Sequence, residues 1–205
     1  MLTWVANAVS GHNGAMASHV ALLRGINVGG RNKVPMAELR EVVTSLGHTG
    51  VTTYIQSGNV LFSTPETDAA ALASALEQAI ASRFGIWASV VVLSRDELTG
   101  ILDRNPYPDE PEPRYVHVVF LNSEPSHDLL DRIKAAERAA AAKGSRDTVT
   151  AAGEALFLHT PDGYGTSELA EALFRIIGPP GKTSITATAR NWATCTKLLS
   201  LCEEK

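Results

Sequence analysis

The chain has 205 residues, of which 44% are apolar, 20% charged and 6% aromatic, figures that describe a globular protein and exclude a fibrous or low-complexity one. Eighteen Lys and Arg against 22 Asp and Glu leave a net charge of -4, which argues against an indiscriminate grip on nucleic acid or anionic lipid and makes any such contact local. Two cysteines, Cys195 and Cys202, form no disulfide framework: seven residues apart on a helix they lie about 10 Å apart along the axis, too far to bridge. Reduced thiols, no run of 18 apolar residues and no basic, apolar leader predict a cytosolic protein. Met16 precedes the first strand-like run, so residues 1–15 read as an alternative or artificial start and residues 1–17 as a disordered segment before the fold.

His19 to Leu23 is a short apolar run, predicted as a buried strand, and it ends in glycines. From Pro35 the apolar residues Met36, Leu39, Val43 and Leu46 fall at helical spacing, with Gly47 as the stop. Val51 to Gln56 and Asn59 to Ser63 flank Ser57-Gly58 as a hairpin. Thr67 or Asp68 caps a helix whose Leu72, Leu76, Ile80 and Phe84 make one stripe before Gly85, and Val90 to Leu93 closes the unit as a strand. The order βαββαβ predicts a ferredoxin-like plait over residues 18–93, two helices on one face of an antiparallel sheet.

A capping box, Ser94 to Glu97, opens a short helix through Leu98, Ile101 and Leu102. Asn105 to Pro113 then holds four prolines and three acids, a composition that does not pack and reads as an extended linker, so residues 94–113 separate two units. Residues 114–205 repeat the grammar. Tyr115 to Leu121 is a strand, Ser126 to Ala142 a helix, Thr148 to Ala152 and Ala155 to His159 a hairpin around Gly153-Glu154, and Thr166 to Ile177 a helix stopped by Gly178-Pro179-Pro180. Ser184 to Thr188 reads as a last strand. A terminal helix from Arg190 to Cys202 buries Trp192, Cys195, Leu199 and Cys202 and carries Arg190, Thr194 and Lys197 on its other face. The fold class is therefore α+β, two tandem ferredoxin-like units with an additional C-terminal helix, the alternative being one mixed sheet shared by both halves.

Three segments carry unusual chemistry. Arg24-Gly25-Ile26-Asn27-Val28-Gly29-Gly30-Arg31-Asn32-Lys33 joins a strand to a helix with three cations and two amides. Its glycines permit close backbone approach, so the Gly29 and Gly30 amides can meet an anion that Arg24 and Lys33 neutralise and Asn27 orients. Gly25 and Gly30 have the outer spacing of a P-loop, but Arg31-Asn32 replaces its Lys and Ser/Thr. Gly178-Pro179-Pro180-Gly181-Lys182-Thr183 ends like one, yet its prolines remove amide donors, and it reads as a helix stop. The hairpin places Gln56, Ser57 and Asn59 around a tight turn, where turn chemistry and ligand contact both fit. Arg190-Asn191-Trp192, with Thr194 and Lys197, is the third segment; stacking of the arginine stem on the indole is its plainer reading. Residues 24–40 and 182–197 are each net +3, uneven enough in an acidic chain to predict a positive cleft.

Conventional catalytic sets are absent from the pattern, so enzyme activity is left open and no cofactor is indicated. The six histidines show no metal-ligand spacing. Cys195, on an apolar stripe, fits a core thiol better than a nucleophile.

Three motifs together make the chain resemble the bacterial family known as domain of unknown function 1697: Ala21-Leu22-Leu23-Arg24-Gly25-Ile26-Asn27-Val28-Gly29-Gly30 with Lys33 and Met36; Gln56-Ser57-Gly58-Asn59-Val60; and Arg190-Asn191-Trp192 with Thr194, Lys197 and Leu198. The resemblance runs from His19 to Leu201 and implies tandem α+β units in which these segments matter together; it supplies no reaction, ligand or cofactor. The function expected from the residues is binding of a phosphate- or carboxylate-bearing small molecule in a positive cleft between the glycine-rich loop, the hairpin and the C-terminal helix. The alternatives are an RNA or single-stranded nucleic-acid-binding module and a structural or regulatory partner protein, in which Arg24 and Arg190 would pair with interior acids.

Overall fold

The computed structural model describes residues 17–178 and 185–204. Residues 1–16 of the expected disordered start, and the segment Pro179 to Ser184 with its P-loop-like ending, lie outside them; Ala17, the last residue of that start, is described and buried. The first half runs β1 (His19–Leu23), α1 (Met36–Ser45), β2 (Thr49–Tyr54), β3 (Asn59–Ser63), α2 (Ala69–Phe84), β4 (Val90–Ser94) and α3 (Arg95–Leu102). The second runs β5 (Val116–Leu121), α4 (His127–Ala141), β6 (Thr148–Ala152), β7 (Ala155–His159), α5 (Glu168–Ile177), β8 (Ala187–Asn191) and α6 (Trp192–Glu203). The class is mixed α+β: two four-stranded antiparallel sheets, ordered β2-β3-β1-β4 and β6-β7-β5-β8, and six α-helices among the described residues. Among the described residues no single sheet is shared by the halves.

Helix starts follow the capping chemistry. Asp68, not Thr67, accepts the Ala70 and Ala71 amides at α2, Ser94 and Glu97 form the reciprocal box at α3, and Ser126, Ser167 and Asn191 cap α4, α5 and α6, each contact contributing about 1 kcal/mol.

Every residue of β1 is buried because both of its faces are covered. Alternation sends Val20 and Leu22 one way and Ala21 and Leu23 the other. The inward residues of both sheets share one cluster with Leu98 and Ile101 of α3 and Cys195, Leu198 and Cys202 of α6. Helices α1 and α2 cover the outer face of the first sheet and α4 and α5 that of the second. Helices α3 and α6 thus pack on the inner faces, and the two sheets also meet directly where Arg190 of β8 reaches Leu23 of β1.

Three sequence expectations change. The last strand is Ala187–Asn191, so Arg190 and Asn191 belong to β8 and not to the terminal helix; Arg190, Thr194 and Lys197 therefore form no common helix face. In α6 the buried residues are Thr194, Cys195, Leu198 and Cys202, with Trp192 and Leu199 half-buried. The acidic segment packs after all: the Tyr107 ring stacks on His159 at 4.9 Å, its hydroxyl lies 2.8 Å from Thr148 Oγ1, and Glu110 Oε2 lies 2.6 Å from His159 Nε2. The Glu112 amide, first, and the His159 ring hold the Glu110 carboxyl below the usual carboxylate range.

Candidate functional site

Residues 24–35 form a small tongue on the end of the first sheet. Arg31 N donates to Val28 O at 3.0 Å around Gly29 and Gly30, whose φ values of 58° and 76° make the turn one that glycine adopts without strain. A Cβ at either glycine would meet nothing within 4 Å, so the tip stands clear of the body. Asn27 builds the base: its Oδ1 accepts from Val34 N at 2.9 Å, and its Nδ2 donates to Val34 O at 3.0 Å and Gln56 O at 2.9 Å. That side chain is committed to tying tongue to hairpin. Asn32 Nδ2 donates to Gly25 O at 2.9 Å, while Arg31 and Lys33 are exposed.

The hairpin turn spans Ile55 to Gly58, longer than the two-residue connection expected. Gly58, at φ 78°, lies so close to β1 that a Cβ would stand 2.8 Å from Leu23 Cβ and 2.9 Å from Ile26 Cδ1. Asn59 is fully buried; its Nδ2 donates to Tyr54 O and Ser57 Oγ, both at 3.0 Å, and its Oδ1 accepts from Arg190 Nε at 2.5 Å. The Gln56 side chain is exposed.

Arg190 is the point where the three sequence segments meet. It is 8% exposed. Besides Asn59, its Nη2 donates to Leu23 O at 2.8 Å, Ser57 O at 3.0 Å and Gly58 O at 3.3 Å, and its Nη1 to Thr188 Oγ1 and Ala189 O, both at 2.8 Å. Among the described residues every partner is a neutral oxygen and none is a carboxylate, so the interior acid expected for a structural arginine is replaced by backbone carbonyls and the Asn59 and Thr188 side chains. Burial lowers the guanidinium to about 10, leaving it charged at neutral pH, and pushes the neighbouring Cys195 thiol up to about 12, which keeps that thiol protonated and unreactive. The meeting point is a filled, hydrogen-bonded joint.

Arg24 crosses the seam in the other direction. Its guanidinium lies 5.2 Å from the Phe174 ring centre and donates to Gly178 O at 3.3 Å, at the carbonyl end of α5. It is half-buried, and burial lowers its pKa; burial likewise raises that of the neighbouring Tyr164 phenol. The Tyr164 ring stacks on His117 at 4.0 Å, and His117 Nδ1 is buried without a partner. Around α6, Asn191 Oδ1 accepts from Thr194 N at 2.9 Å, Trp192 packs against the inner core and Lys197 pairs with Glu204 at 3.0 Å.

The structure thus brings Arg24, Asn27, Ser57, Asn59 and Arg190 to one end of the first sheet, with most of their polar atoms bonded to one another or to the backbone, while the Asn191 side chain is spent on capping α6. Arg31, Lys33 and Gln56 remain on the surface there. Of five cavities, from about 220 to 550 Å³, none is lined by these residues: the largest of the five is bounded by Ser18, His19, Thr64 and the start of α3, and one of about 370 Å³, running from Tyr164 to Phe174, borders the ring on which Arg24 lies. Sequence reasoning missed Val28, Ile55 and Trp87 as exposed apolar residues, since only Trp87, isolated between a helix stop and a strand, carried a local signal. Among the described residues, no group of three His, Cys, Asp or Glu side chains stands together to hold a metal, and no helix is long and apolar enough to cross a membrane.

A family model described as protein of unknown function (DUF1697) matches residues 16–157. The chain is also similar to a solved structure of the conserved bacterial protein SP0830 from Streptococcus pneumoniae, at 26% identity and a TM-score of 0.67, over 93% of this chain and all of that one. No curated protein matches it.

Proposed function

The chain belongs to the DUF1697 family, and because that name assigns no ligand, we propose from the geometry of the loops that it binds an anionic small molecule, phosphate- or carboxylate-bearing, at the end of the first sheet. The observation that carries this reading is Arg24, whose half-buried guanidinium has a single carbonyl partner at 3.3 Å and no carboxylate among the described residues. Residues 24–35, 55–58 and 85–89, the loops at this end, hold Arg24, Arg31 and Lys33 and no acid. Arg24, Arg31 and Lys33 neutralise the anion, the Gly29-Gly30 turn offers amides and Gln56 orients it. Asn27, Ser57, Asn59 and Arg190 frame these groups, whereas Asn191 bonds Thr194 at the start of α6, beside Trp192, and Lys197 is paired with Glu204. Any turnover there rests on positioning and charge stabilisation. We read each half as a ferredoxin-like plait, a reading supported by the strand order, and the buried thiols support a cytosolic setting.

Thermal unfolding with inorganic phosphate, sulfate, citrate and nucleotides tests the function. A ligand at a hundred times its Kd adds about 2.7 kcal/mol, roughly 5–10 °C in a chain of this size. The rise is expected to vanish in Arg24→Gln; no rise with any anion in the panel overturns the proposal. A second reading, a structural or regulatory partner protein, rests on the six hydrogen bonds of Arg190 and expects destabilised variants with no ligand at all. The nucleic-acid alternative loses the sheet face that plaits often present, because both faces of each sheet are packed.

A further inference from the structure

Four large apolar side chains stand exposed among the described residues: Val28 at 67%, Trp87 at 56%, Ile55 at 49% and Leu46 at 36%. Leu46 is at the far end of α1. The other three leave the first sheet at one end, because Leu22 is opposite Asn59 and Leu23 opposite Val90, which brings the tongue, the hairpin turn and the loop before β4 level with one another. Hydrogen bonds tie these loops together: Arg24 N to Ser89 O at 2.8 Å, and Asn27 Nδ2 to Gln56 O at 2.9 Å.

Ile55 sharpens the observation. Its φ is 50°, a region that a β-branched residue enters only under strain. A side chain half in water recovers little of that cost through burial. Strain of this kind persists where the surroundings impose it and clusters at ligand clamps. Here it holds an apolar side chain on the same end as Val28 and Trp87, and the only charged residues in the three loops are the cations Arg24, Arg31 and Lys33. An inorganic anion has no use for the apolar residues, and an apolar molecule has none for the acid-free cations.

We propose that the anion taken at this end carries an aromatic body, as an aryl phosphate or a nucleotide does, with its ring against Trp87 and the aliphatic Val28 and Ile55 and its phosphate on Arg24, Arg31 and Lys33. The inference rests on the anion-binding reading and adds the chemistry of the uncharged part. Ring stacking on tryptophan supplies sequence-tolerant affinity, and the cations supply the charge-assisted bonds.

Titration calorimetry with inorganic phosphate, phenyl phosphate and AMP separates the two readings. Phenyl phosphate and AMP are expected to bind at least about fivefold more tightly than inorganic phosphate. Trp87→Ala, and independently Val28→Ser, should abolish that preference while leaving inorganic phosphate unchanged; both residues are exposed, so the fold is retained. Equal affinity for all three overturns the inference and leaves the anion site standing. No binding of any of them removes both. Salt-sensitive binding of a twelve-residue oligouridylate with AMP silent overturns it in favour of a nucleic-acid surface.

Discussion

Both halves run strand, helix, hairpin, helix, strand, inner helix, and in both a histidine of the first strand stands opposite the residue that caps the inner helix: His19 opposite Ser94, His117 opposite Asn191. Their loop ends are unlike. After β1 the chain takes residues 24–35 to reach α1, with three cations and a free tongue; after β5 it takes residues 122–126, with Glu124 and Pro125, to reach α4. The first hairpin turns through the strained Ile55, the second through Gly153-Glu154 alone. A repeated scaffold carries unrepeated chemistry, so what the two halves share reports on packing and what only one of them has is the place to look for function.

The difference can be broken at the joint. Arg190 stands on β8 where the first half has Leu93 on β4, each opposite an inward valine of the central strand, Val118 and Val20. Arg190→Met leaves the Leu23 and Ser57 carbonyls and Asn59 Oδ1 without the guanidinium, while Gly58 O keeps the Leu23 amide at 2.8 Å, and a loss of about 3–5 kcal/mol is expected in urea unfolding. A loss below about 1 kcal/mol would show that the carbonyls are rehydrated and the joint contributes little.

The paired histidines provide the next test. Burial lowers both, His117 to about 4. An unfolded histidine takes its proton near 6.5, so from pH 6.5 down to about 4 the unfolded chain binds more protons than the folded one, and stability falls as pH falls. For His117 the loss amounts to roughly 3 kcal/mol by pH 4 and is absent above neutrality. His117→Phe, which keeps a ring against Tyr164, should flatten the acid limb of stability against pH, leaving the part that belongs to His19 and His48. An unchanged slope would place the acid sensitivity elsewhere.

The smallest effect has the opposite sign. Asparagine tolerates the left-handed region, so Ile55→Asn should raise stability by about 1 kcal/mol while weakening the aryl ligand. A destabilised variant would mean that the Ile55 side chain contributes more to packing than its exposure suggests.

Apolar periodicity made most elements legible, because residues such as Leu39, Val43, Leu72 and Leu76 face a core at helical spacing. It failed at β8. Ala187 and Ala189 pack outward while Thr188 and Arg190 point inward, and an inward arginine looks like a surface residue to any rule that counts apolar positions. The packing of the acidic segment is hidden for a related reason: composition registers four prolines and three acids but not the stacking of Tyr107 on a histidine 52 positions later, His159. At the candidate site, the convergence of the three segments was suspected from their residue types, whereas the bonds that occupy Asn27 and Asn59, and the turn that strains Ile55, arise from contacts with Val34, Arg190 and Gln56 that no local pattern encodes.

Asn59 and its donor Arg190 are 131 residues apart. A ribosome adding about 5–20 residues per second emits the hairpin on the order of ten seconds before the guanidinium that completes it. During translation, water must stand in for the missing donor, and the earliest part of the polypeptide reaches its finished form only after one of the latest has arrived. The polar interior of the first hairpin is therefore completed by a side chain synthesised well after it.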